Sequence, residues 1–135
     1  CERTWVVHGS DGTDELTTAG KSYVASLENG KVNTFEIGPG DAGLPEAKLE
    51  DLKGGDAEHN AVAIRKMLAG EPGPYRDVVL LNTAAALIIS DKVKDLKEGV
   101  NIAANTIDSG KAKLVLERMI EITNSIDVNG KVEDA

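Results

Sequence analysis

The sequence predicts an α/β unit in which strands come first and packed helices follow. Three observations carry this. Trp5-Val6-Val7 is an apolar, β-branched run that reads as a short buried strand. Asn29-Gly30 separates two strand-like stretches and is the strongest short hairpin signal, because both central positions of a type I′ turn need positive φ. From Ala57 onward, apolar residues recur at helical spacing. Strands followed by helices, without an alternating strand-helix-strand run, indicate a piece of a larger sheet.

In chain order, the Gly9–Gly12 cluster is a loop at the carboxyl end of the first strand, the edge where open α/β sheets bind ligands. Ser22–Glu28 and Lys31–Ile37 then pair about the two-residue turn. That register sets Glu28 opposite Lys31, Leu27 opposite Val32 and Val24 opposite Phe35, which is one charge pair and two apolar pairs. Gly38-Pro39-Gly40 ends the second hairpin strand, since proline cannot donate to a ladder. Leu44–Leu52 is expected to hold one or two helical turns. Asp56 is placed to cap a helix over Ala57–Ala69 that Gly70 closes.

Pro74 suits the first turn of the next helix, and Val78–Ile89, with its Ala84-Ala85-Ala86 run, reads as a helix buried on most sides. Asn82 lies inside it and needs partners, so it is expected to tie a neighbouring backbone rather than a ligand. Asp95 caps a third helix with Leu96, Val100, Ala103, Ala104 and Ile107 on one face, ending at Gly110. Ser109 is expected to cap a fourth, whose Ala112, Val115, Leu116, Met119, Ile120 and Thr123 form a core-facing stripe. The domain is expected to span residues 1–126, with 127–135 a polar, acidic, frayed tail.

A length of 135 residues is that of one domain, enough to bury roughly two thirds of its unfolded surface. A net charge of −8 argues against DNA, RNA or an anionic membrane as partner, because each needs a basic face. A phosphorylated substrate would then need metal ions or local cations to reverse the potential at its site. The one cysteine, Cys1, excludes an internal disulfide and a thiolate cluster, so a reducing compartment is expected. No apolar run reaches the ~20 residues that cross a bilayer, and a cytoplasmic protein is the expectation.

The chemistry concentrates in Asp11, Asp14 and Glu15, three carboxylates within five residues on a glycine-flanked loop. Their mutual repulsion is costly unless a cation sits there, and a divalent metal is the natural reading; the plainer alternative is a solvated acidic turn. Adjacent carboxylates diverge, so one can hold a metal directly while the other holds a metal-bound water or a second ion. Mg²⁺ typically takes one or two carboxylates plus substrate phosphates. Asp11 fits as a loop-shaping residue through an Asx-type bond.

Gly54-Gly55 before Asp56 could cradle a phosphate, but the stretch lacks a P-loop Gly-Lys-Ser/Thr ending and reads as a tight turn with a cap. His8, at the strand end, reads as a satisfied structural group, His59 as solvated, and Cys1 as a chain end without a histidine partner.

Four blocks together carry a resemblance: Val6–Thr18, the Leu49–Asp56 run followed by Asn60-Ala61, Tyr75–Leu87, and Ala104–Ala112. In order and spacing they resemble the carboxyl-terminal part of the anthranilate phosphoribosyltransferase family, over about residues 4–125. Two positions depart from that pattern: Thr13 stands where Leu is common, and Lys21-Ser22 replaces a common Pro-Thr.

The resemblance implies the nucleoside phosphorylase/phosphoribosyltransferase catalytic α/β domain, read here as a fragment because a strand starts by Thr4 with no lead-in. It implies transfer of a phosphoribosyl group from phosphoribosyl pyrophosphate to anthranilate in tryptophan biosynthesis, with Asp14 and Glu15 matching the acidic pair that binds Mg²⁺, and a homodimer when complete. It places no catalytic or substrate-contacting residue on this chain, since the glycine-rich phosphate loop lies upstream. The alternatives are a related pyrimidine nucleoside phosphorylase, or a folded remnant without turnover of its own.

Overall fold

The computed structural model describes residues 2–125, so Cys1 and the expected tail at 127–135 lie outside the described residues. Three seven-residue strands, β1 (Arg3–Gly9), β2 (Ser22–Glu28) and β3 (Lys31–Ile37), form an antiparallel sheet in the order β1-β2-β3. Two 3₁₀ turns, Pro39–Ala42 and Leu49–Leu52, lead to α1 (Ala57–Leu68), α2 (Pro74–Ile89), α3 (Leu96–Asp108) and α4 (Lys111–Asn124).

The hairpin register is the one read from the sequence: Glu28 faces Lys31, Leu27 faces Val32 and Val24 faces Phe35. Asn29 and Gly30 take φ of 51° and 74°, the left-handed pair that a type I′ turn demands. Asp56 caps α1 by accepting from His59 N at 2.8 Å, and Asp95 caps α3 by accepting from Glu98 N at 2.9 Å.

Alternation along the strands puts Trp5, Val7, Val24 and Ile37 on one face, where they meet Leu81, Ala84 and Ala85 of α2. The opposite side of α2 offers Leu80 to Met67 of α1 and to Ala103 and Ile107 of α3. The second helix is therefore the shared wall of both cores, as its nearly unbroken apolar sequence predicts. Where α2 and α3 cross, a Cβ on Gly99 would lie 2.7 Å from Ala84 Cβ and 2.8 Å from its Cα, so these backbones meet too closely for any side chain at position 99.

The structure corrects several sequence readings. The first strand is half-buried rather than buried, with Val6 67% exposed, because among the described residues only the α2-facing side of the sheet is covered. Strand pairing is antiparallel throughout the described residues, so the rule for parallel sheets does not locate the site; the acidic loop simply joins β1 to β2. Glu28 forms its ion pair with Arg3, at 2.7 Å, across β1 and β2. Ser109 does not cap α4: it closes α3, its hydroxyl donating to Thr106 O at 3.2 Å, and Gly110, at φ 76°, takes the cap position.

The α4 stripe is also not core-facing. Ala112 packs against the second core and Leu116 is half-buried, but Val115 is 70% and Met119 55% exposed. Periodicity made that face apolar without supplying anything in these residues to cover it.

Gly99→Ala sets a gain of about 1 kcal/mol in helix propensity against an overpacking cost of about 1–3 kcal/mol. Because the obstacle includes the Ala84 main chain, the clash wins, and the unfolding midpoint falls by a few degrees in a thermal melt. Adding Ala84→Gly to that variant removes the Cβ that meets position 99 and recovers part of the loss.

Candidate metal centre

The loop between β1 and β2 is built by its own polar groups. Gly9 N donates to Thr13 O at 3.0 Å, Gly12 N to Gly9 O at 2.9 Å, and Ser10 N to Lys21 O at 2.8 Å. Asp11 sits at the centre, accepting on Oδ1 from Thr13 N (3.2 Å) and Thr13 Oγ1 (2.8 Å), and on Oδ2 from Thr17 Oγ1 (2.6 Å). Gly9 has to be glycine because a Cβ there would intrude on the Asp11 carboxylate and the Thr13 hydroxyl. Thr17 N in turn donates to Ser22 Oγ at 2.9 Å.

The three acids therefore separate by role. Asp11 is turned inward and consumed by the loop, as its Asx-type reading anticipates, while Asp14 and Glu15 are exposed and adjacent. Burial pushes the Asp11 carboxyl up, but hydrogen bonds from Thr17 and Thr13 outweigh it and leave the group below its ordinary value. Glu15 moves the other way: desolvation, followed by the negative charges of Asp14 and Asp11, raises it. An ionised Glu15 thus stands in a negative field that a cation would relieve.

That electrostatic state is the observation against which a divalent ion can be tested, and the donor set fits one of a particular kind. Among the described residues no three His, Cys, Asp or Glu side chains converge on one point, so no closed protein cage exists. Two neighbouring carboxylates with open surroundings suit Mg²⁺, which keeps water and phosphate oxygens in its octahedral shell. Asp14 and Glu15 are the residues that would hold it.

Glu15 also lines a cleft of about 530 Å³ together with Thr13 and Thr17 of the loop, Leu49 and Lys53 from the segment after β3, and Tyr75 and Val78 of α2. Among the described residues, Lys53 is the one basic residue in that lining. No local sequence pattern marks Lys53 or Tyr75, because tertiary packing alone brings them there. The Thr13 and Thr17 hydroxyls were likewise missed, although an Asp followed two residues later by Thr is a recognisable turn pattern.

Other candidates fall away on geometry. His8 shares the outer side of the sheet with Val6, opposite Tyr23, and is exposed rather than a buried structural group. It stands on the face away from α2. The Gly54-Gly55 turn is filled by its own neighbours: Gly55 N donates to Asn60 Oδ1 at 2.9 Å, Asn60 Nδ2 donates to Gly55 O at 3.0 Å, and the His59 ring packs against Gly55. This is the tight turn expected, not a phosphate cradle. His59 is exposed, as expected.

With this geometry in hand, comparison with known proteins is decisive at the family level. The profile of the "Glycosyl transferase family, a/b domain" matches residues 1–113. The chain belongs to that family. It is 61% identical over 123 residues to an anthranilate phosphoribosyltransferase of Parvibaculum lavamentivorans, covering 91% of this chain and 36% of that protein. A Rhodopseudomonas palustris protein of the same name is 61% identical over 122 residues, with 90% and 36% covered.

Among solved structures, the Thermus thermophilus anthranilate phosphoribosyltransferase superposes with a TM-score of 0.77 at 41% identity, over 86% of this chain and 34% of that one. The Saccharomyces cerevisiae enzyme in complex with PRPP and Mg gives 0.79 at 30% identity, over 88% and 34%. The chain thus spans about a third of the length of the relatives it matches. Within the loop, Asp14 and Glu15 remain the two acids not consumed by its own hydrogen bonds.

Because the Asp11 carboxyl is held below its unfolded value, the stability it supplies is present above the ordinary carboxylate range and is lost as pH falls through that range toward the lower folded value. Asp11→Asn is expected to cost about 1.5 kcal/mol at neutral pH, the worth of a charge-assisted hydrogen bond. It should also flatten the acid limb of stability against pH, measured by urea unfolding at a series of pH values.

Proposed function

We propose that this chain is the Mg²⁺-holding portion of an anthranilate phosphoribosyltransferase, which moves the phosphoribosyl group of phosphoribosyl pyrophosphate onto the amine of anthranilate and releases pyrophosphate. The observation that carries this is the division of labour in the β1–β2 loop: one acid is spent on shaping it, and the next two are presented outward side by side. The high identity to relatives of that name supports the substrate assignment.

Breaking the bond from ribose to pyrophosphate builds positive charge on the sugar and negative charge on the departing diphosphate. Bound Mg²⁺ neutralises the latter more in the transition state than in the ground state. For their part, Asp14 and Glu15 fix where that neutralising charge sits, on a loop whose shape is held by the hydrogen bonds of Asp11 and Thr17. Their carboxylates repel a bare diphosphate, so they favour the metal-bound substrate over the free one. The anthranilate amine is itself the nucleophile, so this segment has no proton to remove; positioning accounts for its share of the acceleration.

The reading extends to a cytoplasmic enzyme of the tryptophan pathway that acts as a homodimer at full length. No helix among the described residues is long and apolar enough to cross a membrane. The 135 residues alone should give no turnover: the glycine turn before α1, the candidate phosphate cradle weighed from the sequence, is closed by Asn60.

In an enzyme of the relatives' full length carrying this segment, Asp14→Ala with Glu15→Ala should lower kcat/KM for phosphoribosyl pyrophosphate by about 10²–10³-fold, comparable to removing a principal transition-state stabiliser. Anthranilate fluorescence, followed at varied Mg²⁺, measures it. An unchanged rate and an unchanged Mg²⁺ requirement would abandon the assignment of these acids, and no loss of fluorescence in the parent enzyme would abandon the substrate.

A further inference from the structure

The Asn82 side chain makes three hydrogen bonds, and two of them hold the acidic loop. Leu16 N donates to Asn82 Oδ1 at 3.0 Å, and Asn82 Nδ2 donates to Leu16 O at 2.8 Å, across 66 residues of sequence. The second amide proton goes to Val78 O, one turn earlier on α2, at 2.9 Å. An amide has two donors and one carbonyl, so this pattern fixes its orientation: turned over, it would set NH₂ against an N–H and oxygen against two carbonyls.

The two contacts to Leu16 fall on different peptide planes. One plane runs from the Glu15 carbonyl to Leu16 N; the other begins at the Leu16 carbonyl. Gripping both fixes the rotation of the main chain immediately after Glu15, which no single bond would do. The Leu16 side chain is fully buried in the core under the sheet, and that anchors position without setting rotation. From the other side, Asp11, Thr17 and Ser22 hold the loop's remaining turns.

We infer that Asn82 is a positioning residue for the metal site: by clamping both peptide planes of Leu16 to α2, it aims the Glu15 carboxylate and its neighbour Asp14. The inference rests on the reading of those two acids as the Mg²⁺ ligands. Groups that orient metal ligands typically cost about 10–100-fold in metal affinity when removed, and Asn82 acts through the backbone that carries the ligand.

The test uses the full-length enzyme carrying this segment, with Asn82→Ala, Asn82→Thr and, as control, Leu80→Val. Threonine can return its hydroxyl to Val78 O, in the manner of helix Ser and Thr residues, while releasing Leu16, so it guards against a variant that fails to fold. Leu80 lies on the same helix but faces the second core, so its truncation loosens α2 without touching the loop.

Mn²⁺ binding, read by electron paramagnetic resonance with phosphoribosyl pyrophosphate present, is compared with the unfolding midpoint, with KM and kcat, and with hydrogen exchange at the Leu16 amide. Both Asn82 variants should weaken Mn²⁺ binding and raise KM for phosphoribosyl pyrophosphate by about tenfold or more, with Leu16 exchange accelerated. Leu80→Val should lower only the midpoint. Parent-like Mn²⁺ affinity in either folded Asn82 variant, despite faster Leu16 exchange, overturns the positioning role alone. Parent-like affinity in the Asp14→Ala, Glu15→Ala enzyme overturns the metal reading as well, so the two failures are told apart.

Discussion

The two-point grip of the Asn82 amide on Leu16 is the contact on which the arrangement of this molecule depends. It joins the acidic loop to the helix shared by both cores. The second helix is wedged between two cores, one under the sheet and one against α1 and α3, so whatever is bonded to it inherits its rigidity. A loop rich in glycine and carboxylates would otherwise be among the more mobile parts of a domain. Here its main chain is held from below by an amide and from within by Asp11, and the two remaining acids are free to face outward.

This arrangement also answers an electrostatic problem. A chain of net charge −8 repels phosphorylated ligands, and the acidic loop concentrates that repulsion. Burial and like charge raise Glu15, so the site is uncomfortable when empty and ionised. A divalent cation held there, as proposed above, would relieve that repulsion. Among the described residues, Lys53 is the one positive side chain in the lining of the cleft that Glu15 borders.

What the sequence made legible was local. The hairpin register follows from Asn29-Gly30 because a two-residue turn leaves no freedom to slip, and the caps at Asp56 and Asp95 need only the next three residues. The acidic pair was readable as a pair, and Asp11 as a shaper, since an Asx bond spans two residues. For Asn82 the direction of the argument was sound, because a polar side chain inside an apolar helix must be satisfied, yet its partner lay 66 positions away and left no mark in the sequence. Lys53 and Tyr75 reach the cleft by the same kind of distant packing. The α4 stripe shows the converse: a helical period states that a face is apolar and is silent on what covers it. Ser109 fails for a smaller reason, since two neighbouring residues competed for one cap and Gly110 alone could take the left-handed turn at no steric cost.

The bare side of the sheet and the open flank of α4 set terms for handling this polypeptide. Val6, Tyr23 and Val32 on the former, and Leu114, Val115 and Met119 on the latter, put sizeable greasy areas in water on a small body. Expressed by itself, a body with such faces is exposed to self-association through them, and colloidal behaviour would limit its yield before any question of turnover arose.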